Sequence, residues 1–130
     1  MAYVIAGLMA ALSFLLNRAM LQYVGAEAIV TYGPAMEEGA KTVLAYCLGA
    51  DILLTHVTFG VIEATYDIVT ARYKAVAAIL SVGGHGLFGF ITIWGLALTG
   101  NIVFSLAVPI AAHWAWNITV IRLLHRKDSL

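Results

Sequence analysis

Two adjacent carboxylates and a lysine lie in a stretch of the chain that is otherwise largely apolar: Glu37, Glu38 and Lys41. Ionisable side chains inside a membrane span cost several kcal/mol unless they are paired or hydrated, and by default they mark functional sites. Neighbouring carboxylates can hold different protonation states, so one of them can take a proton from water as a general base and return it as an acid. The alternative is a structural ion pair, because Lys41 follows Glu38 by three residues and Glu37 by four.

Four further polar side chains lie in apolar stretches later in the chain. Glu63 has mainly hydrophobic neighbours, His85 lies in a glycine-rich run, and His113 and Asn117 share a helix face at a spacing of four residues. Imidazole and amide groups can donate hydrogen bonds to a developing oxyanion, so with a carboxylate base this set suits the attack of water on an amide. Each side chain could instead join helices by hydrogen bonding or close packing.

The same inventory could hold a zinc ion, which binds histidine nitrogens and carboxylate oxygens. The ligands would be Glu63, His85 and His113, with another glutamate as the base. The chain has neither a His-Glu-x-x-His motif nor a Gly-x-Ser-x-Gly motif, and the candidate set is rich in glutamate. The sequence therefore favours a site without metal or any other cofactor, with zinc as the alternative.

The composition indicates an integral membrane protein. Of the 130 residues, 62% are hydrophobic and 11% are charged, and the mean hydropathy is +0.94. A soluble domain of this length cannot bury so much apolar surface, so the excess must face the lipid bilayer, where only helices satisfy their own backbone. We predict an all-α fold: one polytopic domain over residues 1–130 with about five transmembrane helices. The net charge of zero gives no indication of nucleic-acid binding.

Five apolar segments are predicted at about 1–16, 34–48, 52–70, 75–98 and 102–121. The first could extend toward residue 23, the second has a less regular entry from about residue 28, and the catalytic core would occupy about 28–121. Apart from Lys41, which is inside the second segment, lysines and arginines lie only in the links on one side of these segments and in the tail: Arg18, Arg72, Lys74, Arg122, Arg126 and Lys127. This pattern predicts that the N-terminus is outside and the C-terminus is in the cytoplasm.

The polar side chains of different segments are predicted to lie at one depth. A rise of about 1.5 Å per residue places them roughly 10–15 Å from the cytoplasmic ends of their helices: Glu37, Glu38, Glu63, His85 and His113, with Asn117 one turn nearer the cytoplasm. We therefore expect one polar cavity that is reached from the cytoplasmic half. His56 and Asp67 share a helix face with Glu63, and we expect them to be structural residues at its edges.

The ordered motifs Glu37-Glu38-x-x-Lys41, Phe59-x-x-x-Glu63, His85 and His113-x-x-x-Asn117 resemble the CPBP (CAAX-protease and bacteriocin-processing) superfamily of intramembrane proteases. Its pattern is a Glu-Glu pair followed by a basic residue, then Phe-x-x-x-His, a further polar position, and His-x-x-x-Asn/Asp. Glu63 stands where the second motif has histidine, and this departure is closer to the PrsW-type branch. The resemblance covers about residues 37–117.

The resemblance implies an intramembrane endopeptidase in which Glu37 activates water and Glu38 supports it or shares the proton. His85 and His113 would orient the water or stabilise the oxyanion, Asn117 would assist, and Glu63 would complete the site. The substrate would be a membrane-tethered protein or peptide. We expect a location in a prokaryotic plasma membrane, and assembly into a homo-oligomer stays open.

Two other functions fit the same residues. The superfamily includes bacteriocin-immunity proteins and is similar to a non-catalytic scaffold subunit of gamma-secretase, so the polar cluster could hold helices together in a scaffold or immunity-type binding protein. Intramembrane glutamate and histidine also form proton relays, which would suit a subunit of a proton-coupled carrier.

Overall fold

A computed structural model of the chain describes residues 2–24, 32–71 and 74–126, with the side chains of all but residues 2 and 121–126. These residues form five helices: α1 (Ala2–Val24), α2 (Gly33–Cys47), α3 (Ile52–Thr70), α4 (Lys74–Thr99) and α5 (Ile102–Arg126). No strand occurs among them. The prediction of an all-α bundle is confirmed. The entry to α2 near residue 28 and the basic residues Arg72 and Lys127 lie outside the described ranges.

The helix boundaries agree with the predicted segments at the centre of the chain and differ at its ends. The bounds of α2, α3 and α4 fall within one residue of the predicted segments, whereas α1 continues eight residues beyond residue 16 and α5 five residues beyond residue 121. Three polar residues that follow residue 16, Asn17, Arg18 and Gln22, therefore belong to a continuous helix.

Four of the five described helices, α1, α3, α4 and α5, are long and apolar enough to cross a membrane. The exception is α2, whose 15 residues extend about 22 Å. Met36 and Tyr46 on α2 are exposed, whereas Glu37, Glu38 and Lys41 are buried. The shortest helix thus turns its charged face toward the centre of the bundle.

Local sequence explains where the helices begin and end on the side without lysine or arginine. The side chain of Asp51 caps α3, because its Oδ1 accepts the Leu54 N–H at 2.8 Å. Asn101 caps α5 in the same way, at 2.9 Å from the Val103 nitrogen. Gly49 and Gly100 adopt φ values of +66° and +63°, which glycine tolerates without strain.

Close packing of α3 against α4 depends on glycine. A Cβ atom added at Gly60 would lie 3.0 Å from the backbone oxygen of Ser81, 3.0 Å from the Cα of Val82 and 3.1 Å from the Cβ of His85. Small residues allow such close approach of membrane helices. Because the Cβ of His85 is one of the atoms at this contact, the α3–α4 crossing determines where His85, a predicted site residue, lies.

We expect Gly60→Val to lower the free energy of unfolding by about 1–3 kcal/mol, because its added atoms must displace helix backbone. The measurement is the denaturation midpoint of the detergent-solubilised protein. Gly83→Val is the matched control on α4, because a Cβ there meets nothing within 4 Å. Equal destabilisation by the two substitutions would contradict the role of Gly60 at the crossing.

Candidate functional site

A cavity of about 290 Å³ is lined by side chains from all five described helices. It lies at the end of the bundle where α1, α3 and α5 end and where α2 and α4 begin, which is the end predicted to face the cytoplasm. Five predicted site residues and one residue of α1 are among those that line it: Glu37, Glu63, His85, His113, Asn117 and Asn17. Glu38 and Lys41 lie behind this wall and are fully buried. The structure therefore places the predicted residues in two layers around one cavity.

The ammonium group of Lys41 lies at the centre of the cluster. Its Nζ atom is 2.6 Å from Glu38 Oε1, 3.2 Å from Glu37 Oε1 and 2.9 Å from His85 Nδ1. It also lies 4.5 Å from the centre of the Phe59 ring, within the range of a cation–π contact. An ammonium has three N–H donors, and here each has an acceptor. Both of the spacings that the sequence offers for an ion pair are therefore used, and Lys41 contacts the two carboxylates together.

His85 joins the buried ammonium to the cavity. A charged Lys41 can only donate, so His85 Nδ1 accepts and the ring proton is on Nε2. That N–H donates to Glu63 Oε2 at 2.7 Å, and Glu37 Oε1 is 3.6 Å away. The side chain of Glu63 is 30% exposed, against 4% for His85. A hydrogen-bonded chain thus runs from Lys41 through His85 to a carboxylate that faces the cavity.

Glu38 lies between two histidines on other helices. His113 Nδ1 donates to Glu38 Oε1 at 2.9 Å. On the other side, Glu38 Oε2 lies 3.6 Å from His56 Nδ1, and neither atom has a hydrogen bond within the described part of the chain. His56 Nε2 is 3.0 Å from the hydroxyl of Thr42. Glu38 is therefore positioned from both sides and does not line the cavity.

The prediction that His56 is an edge residue is wrong, because its side chain is completely buried. The second half of α2, which carries Thr42, packs against the first half of α3 and closes over the imidazole. The depth estimate placed His56 near the outer end of its helix and so outside the cluster. The sequence signal that indicates the burial of His56 is that it shares a helix face with Glu63, since side chains on one face of a helix point toward the same neighbours.

Asn17 of α1 is a second residue that the sequence argument missed. Its Nδ2 donates to Glu37 Oε2 at 3.0 Å, so the cluster extends beyond the predicted core at 28–121. Asn117 lines the cavity, but none of the described side chains forms a hydrogen bond with it. Asp67, which the sequence predicts to be structural, accepts a hydrogen bond from the Ser81 hydroxyl at 2.7 Å and so joins α3 to α4.

The three residues predicted as zinc ligands do not form a ligand group among the described residues. Glu63 and His85 are bonded to each other, and the other nitrogen of His85 accepts from Lys41. A metal ion bound there would have to displace both contacts. The donors of Glu63, His85 and His113 thus do not fit a zinc ion as they stand.

A different trio has suitable donor types and spacing: Glu37, Glu38 and His113, whose ligand atoms all lie within 4.8 Å of one another. Lys41 Nζ already contacts an oxygen of each carboxylate. Two unit charges about 4 Å apart repel by about 4 kcal/mol at an effective dielectric constant of 20, and a divalent ion would double this energy. With a charged lysine in place, these residues do not fit a divalent metal either.

The assembled site combines two glutamates, two imidazoles and two amides on the cavity wall with a buried cation behind it. A carboxylate held in this way can accept a proton from water, and the imidazole and amide groups can hold a polarised oxygen. Comparison of the chain with protein-family models, with curated proteins and with solved structures finds no match.

Proposed function

We propose that the protein is an intramembrane endopeptidase that hydrolyses a peptide bond of a membrane-tethered protein or peptide with a water activated by Glu37. The observation that carries this proposal is the position of Glu37 on the cavity wall, with both of its oxygens held by donors. Asn17 holds Oε2 at 3.0 Å and Lys41 holds Oε1 at 3.2 Å. Since a carboxylate offers about four lone-pair sites, it can still accept a hydrogen bond from a cavity water.

The reaction needs one proton to be moved twice. The water oxygen attacks the carbonyl carbon of the scissile peptide bond while its proton passes to Glu37. The resulting oxyanion accepts hydrogen bonds, and the Asn117 amide is a donor on the cavity wall that can supply one. When the C–N bond breaks, Glu37 returns the proton to the departing nitrogen, which leaves a free carboxylic acid and a free amine; the acid then loses its proton to water or to the amine.

Glu38 acts as a positioning residue in this proposal. It is 0% exposed and bonds Lys41 and His113 rather than facing the cavity. Its contact with His113 fixes one nitrogen of that ring, and Phe88 stacks on the ring at 4.7 Å with an interplanar angle of 20°. The imidazole of His113 is thereby held in one plane at the cavity, where it orients the water.

His85 and Glu63 serve proton exchange rather than oxyanion binding. The one N–H of His85 is already donated to Glu63, so it is not free for an oxyanion. Glu63 is the more exposed of the two and can exchange protons with water in the cavity. This assignment differs from the role that the family resemblance implies for His85.

The remaining cavity wall suits an apolar, membrane-borne substrate. Phe88 and Trp116 contribute to it, together with Leu80 and Val120. We propose that the substrate enters from the bilayer of a prokaryotic plasma membrane, with the C-terminus and the cavity on the cytoplasmic side. Aliphatic and aromatic walls of this kind favour apolar side chains beside the scissile bond.

The test is cleavage of a library of membrane-tethered peptides by the protein in liposomes prepared in H₂¹⁸O. Mass spectrometry is expected to find products with ¹⁸O in the new carboxylate, and His113→Ala is expected to lower the rate by about 10²-fold or more. Val103→Ala on the same helix is the control, because Val103 is 70% exposed. A folded protein with no His113-dependent product across the library would overturn the proposal.

A scaffold or immunity-type binding protein is the second candidate. It is favoured by the dense bonding of the cluster, in which Lys41 and Glu38 of α2 bond His85 of α4 and His113 of α5 and so link three helices in the interior. A scaffold needs these contacts only for stability and would tolerate Glu37→Gln in a partner complex. Retained partner binding together with absent hydrolysis would support this second function.

A further inference from the structure

We infer that the ammonium of Lys41 is the resident cation of this site, in the position that a divalent metal ion would otherwise take. Removal of its positive charge is expected to convert the cluster into a zinc site. This inference concerns cation binding and does not depend on the proposed hydrolysis.

The first support is the set of atoms around Lys41 Nζ. Two carboxylate oxygens and one imidazole nitrogen surround it at 2.6–3.2 Å, from Glu38, His85 and Glu37. These are the donor types that zinc binds at about 2.0–2.2 Å. The ammonium therefore has the surroundings of a metal ion, with each ligand distance longer by about 0.5–1 Å than a zinc bond would be.

The second support is a fourth donor beside the first three. His113 Nδ1 lies 2.9 Å from Glu38 Oε1 and 3.9 Å from Glu37 Oε1. Its position with the two carboxylates satisfies the spacing of a metal-binding trio. Three donors thus surround Lys41 Nζ and a fourth, His113, lies beside two of them, which together is the usual coordination number of zinc.

The third support is burial. Lys41 is 0% exposed, and the acidic side chains that contact it are 5% exposed or less. Water cannot hydrate these carboxylates freely, so they require a positive charge from within the cluster. One fixed cation supplies it, and a second cation in the same place would meet strong repulsion.

Methionine is the informative replacement at position 41. Its side chain reproduces the lysine stem in length as far as the ε carbon and omits the nitrogen, so it leaves the ammonium position open with the stem packing retained. The experiment titrates metal-free, detergent-purified protein with zinc in competition with a chromophoric chelator. Cobalt(II) absorption in the visible range reports the coordination geometry.

The wild-type protein is expected to bind no zinc through this cluster, and Lys41→Met is expected to raise zinc affinity by at least about 10³-fold. His113→Ala in the Lys41→Met background is expected to reverse that gain. Lys41→Arg keeps the charge, and Lys74→Met removes an exposed lysine at the start of α4, so neither is expected to gain zinc.

Two results would overturn the inference: wild-type zinc binding that is lost in His113→Ala, or a folded Lys41→Met protein that gains no zinc affinity. If Lys41→Met loses its fold in metal-free detergent, zinc is expected to restore a monodisperse, cooperatively melting protein, because a ligand that binds only the native state stabilises it. A Lys41→Met protein that neither folds with zinc nor binds it would equally refute the inference that the ammonium occupies the position of a metal ion.

Discussion

Glu37→Gln is expected to slow hydrolysis by about 10²–10⁴-fold, because an amide cannot take the proton from water. The substitution should preserve the fold. The amide oxygen can still accept from Lys41, and the new amide nitrogen can donate to Asn17 Oδ1, which is buried and has no hydrogen bond among the described residues, once the Asn17 amide turns over. The measurements are the cleavage rate in liposomes and the denaturation midpoint in detergent.

Asp51→Asn is the matched control for this prediction. It makes the same change from carboxylate to amide at the opposite end of the bundle, where asparagine can also cap α3. We expect unchanged cleavage and nearly unchanged stability. If Glu37→Gln melts many degrees lower while the residual cleavage follows the folded fraction, the carboxylate serves the structure and the hydrolytic role fails.

Lys41→Met is expected to have the largest effect on stability, lowering the free energy of unfolding in metal-free buffer by about 3–5 kcal/mol. Loss of the ammonium leaves two buried carboxylates without the cation that they share. Removal of one partner of a buried ion pair destabilises a protein by about this amount. The measurement is reversible unfolding in mixed micelles with increasing denaturing detergent. Lys74→Met, an exposed change of the same type, is expected to stay within about 0.5 kcal/mol of wild type.

A double variant separates the lost charge from lost packing. Lys41→Met with Glu38→Gln removes one positive and one negative charge together, and the new amide can donate to His56 Nδ1, which lies 3.6 Å from Glu38 Oε2. We expect it to be more stable than Lys41→Met alone, since residues in contact are not additive. Additive losses would show that Lys41→Met destabilises through lost contacts of the terminal group, such as the one with the Phe59 ring, and not through the lost charge.

Depth along helices was enough to predict which side chains of four helices meet. Rise per residue is fixed by backbone geometry, so counting from a membrane surface brings Glu37, His85 and His113 to one layer without knowledge of packing. The same estimate failed for His56, because it measured each helix from one plane. The side chain of His56 is instead buried by the second half of α2, where the Thr42 hydroxyl lies 3.0 Å from His56 Nε2.

Asn17 and the centrality of Lys41 could not be read from local pattern. Apolar composition weakens near residue 17, so the sequence left the end of the first span open between about residue 16 and residue 23, and α1 continues to Val24. For Lys41, spacings of three and four residues are both compatible with a helix pair. Only the rotamer and the approach of His85 from α4 decide that the ammonium contacts both carboxylates and an imidazole together.

The shortness of α2 has a consequence for the surrounding bilayer. Its 15 residues fall roughly 8 Å short of a hydrocarbon layer about 30 Å thick, and Met36 and Tyr46 on its outer side are exposed. Such hydrophobic mismatch is relieved by local compression of the lipid. Headgroups drawn inward beside Gly33 and Pro34, which line the cavity, would bring the aqueous boundary to the site, so that a peptide substrate of the kind we propose would meet water there without leaving its leaflet.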